Sequence, residues 1–122
     1  MGTIALSEDT FESTVADNDI VLIDWWASWC GPCQVFAPVY ETAAAEHPDI
    51  VFAKVDTETS PVLAQAAGIM SIPTLMAFRD GILVFSQPGA LPPAVLEELI
   101  TKVRALDMDA VRSDLAARAG AS

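Results

Sequence analysis

Trp29-Cys30-Gly31-Pro32-Cys33 separates an apolar stretch, Ile20 to Trp26, from a segment, Gln34 to Glu46, in which Val35, Val39 and Ala43 recur at i, i+4 and i+8. Strand, tight turn, helix is the reading that decides the rest. Cys30 falls at the mouth of the helix, where unpaired N–H groups and the helix dipole stabilise a thiolate. Cys33 lies one turn in, so its sulfur faces Cys30 at a separation that a disulfide closes with modest adjustment. Gly31 permits the tight turn, and Pro32 supplies a helix-compatible φ without an N–H that the first turn would leave unpaired. The pair can exist as dithiol or as disulfide. Two other readings compete. A zinc half-site is short of soft ligands, since His47 is the lone histidine and no further cysteine exists. An inert buried pair gives the Gly-Pro interior and the adjoining Trp29 no purpose.

Around this motif the chain has the size and composition of one soluble globular domain, with 122 residues, 52% of them hydrophobic and 19% charged. That suffices for a core without a covalent staple. The two cysteines are too few for a multi-bridge framework and too close together to close a long loop. Seventeen acidic side chains against six basic ones leave a net charge of −11. Phosphate backbones and anionic lipid are repelled, so neither nucleic acid nor a membrane is an expected partner. Met1 to Asp19 holds no basic segment followed by an apolar one, and Leu6 stands where an acylation motif needs Ser or Thr. The longest apolar run, Ile20 to Ala27, is broken by Asp24 and is far short of the roughly 18 residues that a membrane span requires. A cytoplasmic protein is the expectation.

Thr3 to Leu6 suits an edge strand, and Ser7 the N-cap of a short helix in which Phe11 and Val15 lie one turn apart. Ile20 to Trp26 is apolar on both pleat faces, which places it inside a mixed α/β sheet covered by helices on both sides. Trp25 and Trp26, on opposite faces, read as core. Pro38 predicts a kink in the helix that follows, and His47-Pro48-Asp49 ends it, with His47 a solvated helix end. Ile50 to Val55 is a third strand, and Pro61 to Gly68 frames a short helix. Thr74 to Arg79 and Ile82 to Ser86 form an antiparallel hairpin across Asp80-Gly81. A last helix begins at Pro92-Pro93 and aligns Val95, Leu96, Leu99, Ile100, Val103 and Leu106 on one face. With no repeat or linker to divide the chain, residues 1–106 read as the domain and residues 107–122 as a C-terminal extension, a short helix or a frayed end.

Asp24 is the anomaly of its strand. Ionised and unpaired, it costs several kcal/mol to bury, so it needs a raised pKa or a partner. A proton-transfer role and a structural hydrogen bond or ion pair both answer that need. Lys54, alternating out of the third strand, can reach solvent along its stem.

The run Asp24-Trp25-Trp26-Ala27-Ser28-Trp29-Cys30-Gly31-Pro32-Cys33, with Ile72-Pro73-Thr74 roughly forty residues later, resembles the thioredoxin family over about Ile4 to Leu106. The resemblance implies a five-stranded mixed sheet flanked by four helices, with three parallel strands extended by an antiparallel hairpin. It also implies a protein-disulfide reductase serving cell redox homeostasis, with a redox-active Cys30–Cys33 disulfide and no bound cofactor or metal. In that reading Cys30 attacks client disulfides, Cys33 resolves the mixed disulfide, and Asp24 beneath them relays the proton of Cys33 with support from Lys54. Gly31 and Pro32 complete the active-site loop. Pro73 is implied to be a cis-proline facing the cysteines, and Trp29, Ile72, Pro73 and Gly89 to form the apolar surface on which an extended client segment pairs. Implied partners are disulfide-containing client proteins and a flavoenzyme thioredoxin reductase drawing on NADPH.

Two departures from the family pattern stand out. Gln34 follows Cys33 where many members carry a basic residue, which removes a positive charge near the thiols, and Met70 stands where a basic or polar residue is frequent. Two further functions compete. One is a thioredoxin-fold binding subunit that uses the Trp29 and Pro73 surface with redox turnover incidental. The other, an oxidant of disulfide formation, is disfavoured by the missing export signal and the Gly-Pro interior.

Overall fold

Apolar strands alternate with helices along the chain. The order is β1 (Ile4–Ala5), α1 (Phe11–Asp17), β2 (Ile20–Trp26), α2 (Gly31–Glu46), β3 (Val51–Asp56), α3 (Pro61–Ala66), β4 (Thr74–Arg79), β5 (Ile82–Pro88), α4 (Pro93–Ala105) and α5 (Met108–Ala121). The structure, a computed structural model, describes residues 2–121. One sheet holds all five strands in the order β1-β3-β2-β4-β5. β1 and β2 run parallel to β3, while β4 runs antiparallel to both β2 and β5.

β2 is apolar on both faces because both are covered. Leu22 packs with Phe36 and Tyr40 of α2, Phe52 of β3, Leu75 of β4, and Leu96 and Ile100 of α4. On the opposite face Val21, Ile23 and Trp25 pack with Val15, Ala64 and the half-buried Phe11 of α1 and α3. The alternation of the pleat therefore sends Asp24 and Trp26 to the α2 side. Trp25 is core, as read from the sequence. Trp26 is half-buried and packs instead in a small cluster with Ala27, Cys30, Cys33 and Ile72.

Several boundaries shift for local reasons. Ser7 is not the cap of α1, because a turn intervenes in which the Ser7 carbonyl accepts from the Thr10 and Phe11 N–H groups and Thr10 Oγ1 accepts from the Ser7 N–H. Thr10 is the residue before the helix. α2 starts at Gly31, three residues ahead of Gln34, since Cys30 itself caps it, and the helix continues through Pro38. β5 runs on to Pro88.

His47 is not a solvated helix end. α4 crosses the C-terminus of α2, so His47 Nε2 lies 2.8 Å from Glu97 Oε1 and Nδ1 lies 3.1 Å from an Arg104 guanidinium nitrogen. An arginine N–H only donates, so in the neutral ring Nδ1 accepts and Nε2 carries the proton given to Glu97. Arg104 also grips both carboxylate oxygens of Asp49, at 2.6 and 3.0 Å, and holds that carboxyl down to about 2.

The segment after Leu106 forms α5. Met108 is buried, and Arg112 reaches Asp80 in the β4–β5 turn at 3.4 Å. Arg79 of β4 donates to the carbonyls of Val103, Arg104 and Leu106 where α4 ends, although Val103 also accepts the Leu106 N–H.

Candidate active site

The strand directions bring the loops after β2, β3 and β5 and the loop before β4 to one edge of the sheet. The N-terminus of α2 opens at that same edge. Cys30, in an extended conformation, is the cap of α2, and its Sγ accepts the Cys33 backbone N–H at 3.2 Å. Cys30 and Cys33 are joined as a disulfide with 5.2 Å between their Cα atoms. The Ile72 carbonyl oxygen lies 3.7 Å from Cys30 Sγ. The Ile72-Pro73 peptide bond is cis, and the Pro73 carbonyl accepts the Gly89 N–H at 2.8 Å. Gly89 has φ +107°, a conformation that side chains disfavour, so glycine is required where this loop meets Pro73.

Exposure does not distinguish the two sulfurs in the oxidised form, with Cys30 3% and Cys33 4% exposed. The bridge draws both under Trp26 and Ile72. Position distinguishes them instead, since only Cys30 caps the helix and lies beside the Ile72 carbonyl. The expectation for Gly31 changes. It takes no left-handed φ, and a Cβ there would meet nothing within 4 Å, so the turn itself does not demand glycine.

Trp29 and Met70 are 67% and 96% exposed. With Thr57, Ala64, Ile69, Ser71 and Ile72 they line a shallow cleft of about 340 Å³ beside the disulfide. Gln34 Nε2 donates to the Ser28 carbonyl at 2.9 Å and so ties the active-site loop to α2. A larger cleft of about 410 Å³ between β5 and α4, lined by Val84, Leu91 and Leu99, lies away from the sulfurs and holds no thiol.

Asp24 is 1% exposed, and neither carboxylate oxygen has a hydrogen-bond partner among the described residues. Burial pushes its carboxyl up to about 6, opposed by the Lys54 ammonium and reinforced by the Glu41 carboxylate. Lys54 is its register partner on β3 and so shares its face of the sheet. The Lys54 ammonium sits 5.0 Å from the centre of the Trp26 ring, not free in solvent. Asp24 thus lies one pleat repeat, about 7 Å along the strand, below the tryptophan that packs on the sulfurs. Next to it, the Tyr40 hydroxyl donates to the Ala53 carbonyl, and burial first and the Asp24 charge second hold that phenol well above its usual range.

The structure brings together every residue that the sequence singled out for the site. Cys30, Cys33, Trp29, Ile72, Pro73 and Gly89 lie at the edge, and Asp24 and Lys54 lie beneath. Sequence reasoning missed Trp26 as a wall of the sulfur cluster, although its place two residues after Asp24 on an alternating strand was a usable signal. Neither Tyr40 nor the loop-tying role of Gln34 carried one.

Residues 2–102 match the family profile described as Thioredoxin. The chain belongs to the thioredoxin family. It is 59% identical over 114 residues to putative thioredoxin 2 of Streptomyces coelicolor, an alignment that covers 93% of this chain and 85% of the relative. Thioredoxin 1 of Synechococcus elongatus is 43% identical over 100 residues, covering 80% and 94%. Among solved structures, a thioredoxin of Plasmodium falciparum superposes with a TM-score of 0.76 at 34% identity, over 82% of this chain and 97% of that one. With a thioredoxin fold and a Cys30–Cys33 pair at its helix mouth, the protein is a thiol–disulfide oxidoreductase whose redox group is its own disulfide. No helix among the described residues is long and apolar enough to cross a membrane.

Proposed function

We propose that this thioredoxin is a cytoplasmic protein-disulfide reductase, returned to its dithiol form by an NADPH-dependent thioredoxin reductase. The observation that carries the reading is the Cys33 N–H aimed at Cys30 Sγ at the mouth of α2. In the reduced protein that donor and the first-turn dipole favour a Cys30 thiolate. The thiolate attacks one sulfur of a client disulfide, a Cys30–client bond forms, and the second client sulfur leaves as a thiolate and takes a proton from water. Asp24 then accepts the proton of Cys33, directly or through a water, with Lys54 stabilising the carboxylate. Cys33 displaces the first client sulfur from Cys30 and restores the Cys30–Cys33 bridge, and that sulfur leaves as a thiolate that takes up the proton Asp24 held, directly or through water. The client gains two electrons and two protons, and the reductase resupplies them by the same exchange in reverse. Trp29, Ile72, Pro73 and Gly89 form the surface that receives the client segment, with Gly31 and Pro32 in the active-site loop beside it.

The recycling step is tested by NADPH oxidation with a bacterial thioredoxin reductase and insulin as the client. Oxidation that depends on the concentration of this protein is expected. Insulin reduction by dithiothreitol-driven protein but not by the NADPH system would separate the disulfide chemistry from the proposed reductase.

Residues 1–106 are the catalytic domain in this reading, and residues 107–122 are an appendage. α5 contacts the β4–β5 turn, at the edge of the sheet remote from the disulfide. A chain ending at Leu106 is expected to keep near-normal turnover. It should lose about 1–3 kcal/mol of stability, chiefly from the buried Met108, since the Arg112–Asp80 pair is exposed and screened by solvent. Denaturant unfolding and insulin reduction on the shortened chain check both halves. A large loss of turnover with the fold intact by circular dichroism would give α5 a part in the reaction.

A further inference from the structure

Five of the six Lys and Arg side chains of this protein are held away from its redox edge. Arg79 serves the end of α4, Arg104 holds Asp49, and Arg112 spans Asp80 and Asp109. These three guanidinium groups are at the edge where β2 and β3 begin and β4 ends. β2 is seven residues long, which puts that edge about 20 Å from the disulfide, more than two Debye lengths at physiological ionic strength. Lys102 and Arg118 are paired within α4 and α5 to Glu98 and Asp114. The sixth cation, Lys54, is set beneath the site against Trp26, beside Asp24.

No Lys, Arg or His occurs in the loops that converge on the disulfide, residues 27–30, 57–60, 67–73 and 89–92, or in the first turns of α2 and α3. The one charge there is Glu58, exposed on the turn after β3 and next to Asp56 at the end of that strand, whose Oδ1 accepts the Glu58 N–H at 2.9 Å. Thr57, between them, lines the cleft of Trp29 and Met70. Both departures from the family pattern act in the same sense. Neither adds a cation: Gln34 is an amide that donates to the Ser28 carbonyl, and Met70 an exposed thioether in the cleft with Trp29.

We infer that Glu58 and Asp56 are specificity-determining residues of this reductase, selecting disulfides flanked by Lys or Arg. The inference rests on the reductase reading above. An acidic rim with Lys54 as its one neighbouring cation, on a chain of net charge −11, attracts a cationic client during approach and repels an acidic one. A cation beside the client disulfide also lowers the pKa of the departing thiol, which speeds its release.

The test uses the full-length reduced protein and three disulfide-cyclised peptides of one length, with Lys, Gln or Glu on both flanks of the bridge. Rates followed by tryptophan fluorescence are divided by those with dithiothreitol, which reports the intrinsic reactivity of each peptide. At low ionic strength the normalised rates should fall in the order Lys, Gln, Glu, with the first at least about tenfold above the last, and the ratio should shrink severalfold at high salt. Glu58→Lys should collapse or invert the order. Equal normalised rates, or an order that Glu58→Lys leaves untouched, overturn the charge selection while the reductase stands. Failure to reduce any of the three peptides overturns the reductase reading itself.

Discussion

Replacing Cys33 by serine should leave the protein covalently joined to its clients, whereas replacing Cys30 by serine should leave it free. Attack on a client requires a thiolate at the mouth of α2. Cys30 is the sulfur that receives the Cys33 N–H and lies beside the Ile72 carbonyl. Once the Cys30–client bond has formed, only the sulfur one turn further in can displace the client, and a serine hydroxyl is no substitute at neutral pH. The asymmetry must come from the helix cap, because the two residues are equally buried in the oxidised form. Turnover should fall on the order of a thousandfold or more in both variants, as when one member of a concerted nucleophilic unit is removed. A non-reducing gel of each variant incubated with disulfide-containing proteins reads the difference. Equal trapping by both would reverse or remove the assignment.

Asp24→Asn should raise stability near neutral pH and slow resolution of the mixed disulfide. The folded-state pKa of Asp24, about 6, lies above its unfolded value near 3.8. The folded state therefore binds this proton more tightly. Its contribution is fully present below about pH 4, is lost as pH rises through 6, and stays lost above that. Two pKa units correspond to about 3 kcal/mol, the order of the penalty that the ionised carboxylate imposes at pH 7. Asparagine removes that penalty but buries an amide with no partner waiting, so a net gain of about 1–2 kcal/mol at pH 7 is expected, turning into a loss of about 1–2 kcal/mol at pH 4, where only the unpaired amide counts. The flattening of stability between pH 4 and 7 is the signature, read by urea unfolding across that range.

The kinetic half of the prediction concerns the proton of Cys33. Without a base at position 24, decay of the mixed disulfide should slow by about a hundredfold and lose its inflection near pH 6, while its formation by Cys30 survives. Single-turnover measurements separate the two steps. An unchanged decay rate at every pH, or a strong loss of stability, would make Asp24 a structural partner only.

The fold was legible because its signals are local and strong. β2 reads as interior since it is apolar on both faces, and Asp80-Gly81 reads as a hairpin since its positive φ values of 53° and 79° suit those two residues. The position of each thiol was legible from strand, turn and helix alone. Roles for Pro73 and Gly89 were not, because a cis bond and a contact across a sheet edge leave no periodic trace, and they entered only through resemblance to a family. What failed depended on distant packing. His47 reads as solvated until α4 is laid over it, and nothing near Gly31 shows that its backbone stays right-handed. The acidic rim at Glu58 was hidden for a similar reason, since a net charge says nothing about which edge of the sheet the cations occupy.

The central claim is that electrons leave Cys30 and Cys33 as a pair and arrive on a protein disulfide. It is tested most directly by mixing the reduced protein with a disulfide-bonded client in the absence of any other reductant and following both by mass spectrometry. The account predicts one Cys30–Cys33 bridge formed for each client disulfide opened, with a Cys30–client adduct as the sole intermediate. Opening of the client without formation of that bridge, or a folded dithiol protein that leaves the client oxidised, would contradict it.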